Sequence, residues 1–216
     1  MRTAIDEYLK DLEKDLFKLS DMVTTAIANS IEALKEKNVD LAKEVRRNDQ
    51  LINDLRLDIE EKCIKIIATQ QPVATDLREL IAILNIITEL ERIGDYASGS
   101  AKIVQKLGDS ELVKPLIDIP RMAELSIDMI ERVMKAYANR DKKAVLLINS
   151  QDDDIDELYH QVFRELVSIM IEDPRTITRS TYLLWVAHNL ERTGDRVTNI
   201  CERILYLITG EMIEKL

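Results

Sequence analysis

Two hexapeptides concentrate the chemistry of this chain. LERIGD at residues 90–95 and LERTGD at 190–195 each set a glutamate four residues before an aspartate: Glu91 with Asp95, and Glu191 with Asp195. On a helix that spacing puts both carboxylates on one face, about 5–6 Å apart. The same spacing recurs upstream of each copy, in Asp49 with Asn53 and in Asp152 with Asp156. Carboxylates crowded on a partly buried face cannot all stay ionised unless arginine, protons or a metal ion joins them. Oxygen donors without cysteine suit hard cations, and four such groups on neighbouring helices can bridge two or more ions. The eight residues Asp49, Asn53, Glu91, Asp95, Asp152, Asp156, Glu191 and Asp195 are therefore the expected metal ligands. Spacing alone does not choose among iron, manganese, magnesium, calcium and zinc.

Each hexapeptide also places a glycine, Gly94 or Gly194, three residues after its glutamate. A glycine inside a helix costs about 1 kcal/mol relative to alanine. Its expected return is space beside the acids, either for an ion with its waters or for a close neighbouring helix.

The elements that must position these groups read as helices throughout, because apolar residues recur at helical spacing along nearly the whole chain. The expected helices are 3–37, 41–70 (with Asp40 as a cap), 73–107, 121–138, 142–172 and 175–209. Pro72 and Pro174 end the second and fifth, since a proline disfavours helix in the residue before it. Gly108 is placed to close the third. Landmarks repeat at near-constant offsets of about 100 to 103 residues: KNVD with ANRD, Pro72 with Pro174, and the two hexapeptides. Such regularity indicates duplication. The expectation is an all-α chain made by tandem duplication of a three-helix bundle, with six long helices in up-down antiparallel packing. The units run 1–108 and 121–216, with a linker at 109–120 carrying Pro115 and Pro120.

Short loops make consecutive long helices antiparallel neighbours, and this sets a register. Asp49 and Asp95 stand equally far from Pro72, as do Asn53 and Glu91. About the Asp173–Pro174 turn, Asp152 stands level with Asp195 and Asp156 with Glu191. Each unit should gather one patch of four oxygen-bearing side chains. Leu80, Leu84 and Ile87 share a stripe with Glu91 and Asp95, so the acids continue a core face.

Other polar residues carry less. His160 and His188 fall near the height of the second patch; His188 shares a face with Glu191 and Asp195, but a structural role is the plainer reading. A ferritin-like di-iron site needs two ExxH motifs, and only Glu157–His160 is present. Cys63 lies on the core stripe as a packing residue. SQDDDIDE reads as mid-helix, where its acids gain nothing from the helix dipole. Phosphate-binding glycine loops, nucleophile elbows and Ser/His/Asp groupings are absent.

Composition excludes several classes. A net charge of −10 argues against nucleic acid or anionic lipid as a partner through a broad basic face. Two cysteines without a CxxC make a reducing cytoplasm the default location. The acidic N-terminus lacks a signal-peptide apolar run, and LIAILNII is far short of a membrane span. Aromatics make up only 4% of residues, which favours helices packed through aliphatic seams.

The paired LERIGD and LERTGD, with QPVATDLREL before the first and EDPRTITRSTYLL before the second, resemble the PhoU family over essentially the whole chain. That resemblance implies a homodimeric, non-enzymatic regulator of phosphate uptake that restrains the phosphate-starvation response when phosphate is plentiful. The implied partners are the phosphate transporter's ATPase subunit and a sensor histidine kinase, with the membrane met only through them. Some members hold multinuclear metal clusters in E(D)xxxD motifs. Glu91–Asp95, Asp152–Asp156 and Glu191–Asp195 match that motif. Asp49–Asn53 departs from it, so the first site should be weaker or hold fewer ions. His188 stands where members often carry arginine. Two rivals remain: a carboxylate-bridged metalloenzyme (a hydrolase or oxidase), and a metal-free helical scaffold whose acids pair with neighbours such as Arg92 and Arg192.

Overall fold

Aliphatic residues at helical spacing, with few helix breakers, dictate long rods, and the computed structural model, which describes residues 2–211, consists of them. The helices are α1 (Arg2–Lys35), α2 (Val39–Gln70), α3 (Thr75–Leu107), α4 (Asp118–Asn139), α5 (Lys142–Asn149), α6 (Asp152–Glu172) and α7 (Ile177–Thr209). One 3₁₀ turn, Pro174–Thr176, precedes α7, and no strand occurs among the described residues.

Boundaries depart from the sequence expectation where local chemistry competes. Asn38, not Asp40, caps α2, its side chain accepting from Leu41 N at 3.0 Å. Pro120 lies inside the first turn of α4 rather than in the linker. It is tolerated there because first-turn N–H groups have no intrahelical partner. The expected fifth helix is broken at Ser150–Gln151, so six rods are built from seven helices. Arg132 marks the break: its guanidinium donates to Gln151 Oε1 at 2.7 Å and to Asp128 Oδ2 at 2.9 Å. The break moves Asp152, Asp153 and Asp154 from mid-helix to the first turn of α6. A helix N-terminus favours negative charge by about 0.3–1 kcal/mol.

Each unit is a hairpin of long helices with a third rod across it, and the two units share one continuous core. The hairpins are α2 with α3 and α6 with α7; α1 and α4 pack against both members of their own pairs and against each other. The middle of the molecule is α3 against α7, joined by polar pairs that run in opposite order along the two helices. Asn189 Nδ2 donates to Ser100 Oγ at 3.1 Å, Arg192 Nε to Tyr96 Oη at 3.0 Å, and Arg196 to Glu89 at 3.2 Å. The two hexapeptides therefore lie side by side and antiparallel, with one acid patch on each flank.

Heptad-like seams hold the hairpins shut. On α2 the buried positions are Ala42, Val45, Ile52, Ile59, Cys63 and Ile66; on α6 they are Ile155, Leu158, Val162 and Leu166, continuing Ile148 of α5. Asp49 interrupts the first seam between Val45 and Ile52, and Asp152 the second between Ile148 and Ile155. An aliphatic side chain buried at such a point stabilises by about 1.5–3 kcal/mol. A carboxylate there forgoes that gain.

Candidate metal centre

The first patch lies between α2 and α3. A Cβ built on Gly94 would stand 3.2 Å from two carbons of Ile52, so at this level the glycine serves close approach of the helices. One turn away, Asp49 and Asn53 of α2 and Glu91 of α3 are half-buried, and Asp95 faces solvent. Burial and the neighbouring charge of Asp95 raise the carboxyls of both Asp49 and Glu91 above the usual range. Asp49 Oδ1 and Asn53 Oδ1 are buried without any hydrogen-bond partner.

The second patch lies between α6 and α7. Here the glycine meets the acid itself: a Cβ on Gly194 would overlap Asp152 Oδ1. Burial, then the charges of Asp156, Asp195 and Glu191, push the Asp152 carboxyl up to about 7. A shift of about three units is roughly 4 kcal/mol before solvent screening, so the dipole of α6 is outweighed. Asp156 is raised by burial and by Asp195, with His160 opposing. Glu191 is raised by burial and by Asp195, with His188 opposing. Asp152 Oδ1 and Glu191 Oε2 are again buried without a hydrogen bond.

The expected register thus holds where it can be read: Asp49 lies within electrostatic reach of Asp95, and Asp152 of both Asp195 and Glu191. Salt bridging does not explain the acids. Among the described residues, none of the seven carboxylates lies within ion-pair distance of a lysine or arginine, although such pairs abound elsewhere. Arg192 turns away to Tyr96, and Arg56 pairs with Glu60. The single contact is His188 Nδ1, 3.1 Å from Glu191 Oε2, an ion pair only when the imidazole is protonated.

Four orphaned oxygens, two per patch, with a glycine cleared beside Asp152, fit a cation as the missing partner. The donors face one another without closing: among the described residues, no three His, Cys, Asp or Glu side chains converge into a finished cage. The donor set is oxygen in the first patch and oxygen with an adjacent imidazole in the second, which suits hard and borderline cations. Cys63 and Cys201 are buried, and burial holds both thiols up at about 12, so neither offers a thiolate.

The comparisons with known proteins decide the family. The chain matches the PhoU domain twice, over residues 16–104 and 119–204. It belongs to the PhoU family. A phosphate-specific transport system accessory protein PhoU homolog of Rhizobium meliloti is 38% identical over 96% of this chain and 88% of its own. Another, from Clostridium acetobutylicum, is 36% identical over 99% of this chain and 98% of its own. The crystal structure of the phosphate transport system regulatory protein PhoU from Streptococcus pneumoniae superposes with a TM-score of 0.90 at 30% identity, covering 97% of this chain and 99% of that one. PhoU from Pseudomonas aeruginosa also gives 0.90, at 32% identity, over 95% of this chain and 99% of that one. The chain is thus a homologue of accessory and regulatory proteins of phosphate transport, and no described helix is long and apolar enough to cross a membrane.

Two features of this structure were not legible in the sequence. The polar ladder between α3 and α7, with Tyr96 and Arg192 at its middle, is long-range, and only the duplication hinted at it. The cluster of Tyr159, His188 and Trp185 beside the second patch needed the α6–α7 register to be seen; its signal was the gathering of rare aromatics on matched heights.

Proposed function

We propose that the chain is a non-enzymatic, cytoplasmic regulator of phosphate uptake that restrains the phosphate-starvation response. It would contact the transporter's ATPase subunit and a sensor histidine kinase, acting as a homodimer, with metal ions at the two acid patches. The carrying observation is the PhoU domain matched twice, over residues 16–104 and 119–204, in the company of accessory and regulatory relatives. The site chemistry supports a binding role. Cavities of about 470 Å³ between α1 and α2 and about 520 Å³ between α4 and α6 are lined by none of the eight patch residues. The patches lie instead in the α2–α3 and α6–α7 seams, where bound ions would brace the paired helices.

A mechanism follows from charge. A chain with a net charge of −10 offers few anion sites, but clustered cations on its surface create one. Asp49, Glu91, Asp152 and Glu191 would hold the ions; bound metal would supply positive charge for phosphate, and phosphate would bias partner contact.

The test is a host lacking its own copy, carrying a phosphate-starvation reporter. Restoring this chain should silence the reporter in phosphate-rich medium, and the chain should capture the ATPase subunit and the kinase from that host. A reporter equally silent without the chain, or no capture of either partner, refutes the reading.

A further inference from the structure

The duplication supplies an internal control for the second patch. At the position of His188 the first unit carries Thr88, and at the position of Tyr159 it carries Arg56, which is spent on Glu60. Only the second patch therefore has a nitrogen donor at its edge. That donor is held in place: the His188 ring centroid lies 6.0 Å from that of Tyr159, and 6.1 Å from that of Trp185 in an edge-on arrangement. Its Nδ1 lies 3.1 Å from Glu191 Oε2 without a hydrogen bond, and that oxygen is one of the buried orphans. Two ligands of one ion, each bonded at about 2.0–2.2 Å and about 90° apart, stand about 3 Å from each other, which is the spacing of these two atoms.

We infer that His188 is a metal ligand that, with Glu191, makes the second patch a mixed nitrogen–oxygen site selective for borderline transition ions, while the first patch remains an all-oxygen site. The inference rests on reading the patches as cation sites. Imidazole suits zinc, iron, cobalt and nickel, whereas carboxylate and amide oxygens suit magnesium, calcium and manganese. The two units then differ in kind: the first follows the abundant hard ions and the second the scarcer borderline ones.

Trp185 is the only tryptophan of the chain and sits beside His188, so it reports on the second patch alone. Metal-free protein is titrated with cobalt(II), which quenches a nearby indole, and separately with magnesium, followed by calorimetry. Wild type should show saturable cobalt quenching. His188→Phe, which keeps an aromatic ring between Tyr159 and Trp185 but removes the nitrogen, should weaken cobalt binding about tenfold or more and leave magnesium affinity within about twofold. Glu91→Gln with Asp95→Asn should leave cobalt quenching unchanged while lowering magnesium binding at the first patch. His188→Ala serves as a second variant, and equal melting temperatures certify that each is folded. Unchanged cobalt affinity in folded His188 variants overturns the inference while the acid patches stand. Failure of every cation to bind wild type removes the patch reading itself, and the inference with it.

Discussion

Asp152 is the group in this fold most exposed to a pH test. Its carboxyl sits in the α6–α7 seam and is pushed up to about 7, by burial first and then by Asp156, Asp195 and Glu191. An ordinary aspartate in the unfolded chain titrates near 3.9. Between about pH 4 and pH 7 the native metal-free protein therefore binds a proton that the unfolded chain has released. Stability falls as pH rises through that window, the reverse of a salt-bridged aspartate. Three units amount to about 4 kcal/mol, and solvent screening at this half-buried position roughly halves it, to about 2 kcal/mol. Asp152→Asn removes the charge and keeps the shape. In chelator at pH 8 the variant should melt above wild type by about 4–8 °C, given about 2–4 °C per kcal/mol for a chain of this size. Near pH 4.5 the gap should nearly vanish. Added metal should reverse the order, since a ligand that binds only the native state stabilises wild type by mass action and the variant less. Thermal melts at the two pH values, with and without metal, check all three statements. A variant that melts below wild type at pH 8 without metal would refute the reasoning.

The two motif glycines should respond differently to alanine. Gly94→Ala presses on buried Ile52, so helix propensity gained, about 1 kcal/mol, is offset by strain of about 1–3 kcal/mol, and chemical denaturation should show a net loss with metal affinity nearly kept. Gly194→Ala instead displaces the Asp152 carboxylate, so calorimetry should show weakened metal binding at the second patch with stability within about 1 kcal/mol of wild type. Cys63 and Cys201, buried and held up at about 12, should resist a thiol reagent at pH 8 until denaturant is added. Tyr96→Phe removes the acceptor of Arg192 between the units and should lower the melting midpoint by a loss of about 1 kcal/mol, without altering metal content.

Much of this architecture was legible because helical period, proline stops and duplication are local or regular signals. Pro72 and Pro174 marked the hairpin turns, and counting from them brought Asp49 toward Asp95 and Asp152 toward Asp195. What stayed hidden was governed by competition at short range or by contacts at long range. The break at Ser150–Gln151 is bridged by a guanidinium from α4, Arg132, a long-range contact that residues 142–172 by themselves do not announce. Asn38 outcompeted Asp40 as a cap because helix starts are fixed by which side chain reaches the first free N–H. The role of Gly94 was one of two open readings, and only the position of Ile52 separated it from that of Gly194.

We propose that the orphaned oxygens of the two patches are metal ligands. Elemental analysis of protein purified without tag or chelator tests it most directly, comparing wild type with Glu91→Ala/Asp95→Ala, Glu191→Ala/Asp195→Ala and the four substitutions together. Wild type should carry bound metal, each double variant should lose part of it, and the combined variant should hold none. Wild-type protein that carries no metal and takes up none on incubation, or a combined variant that retains the full content, would contradict it.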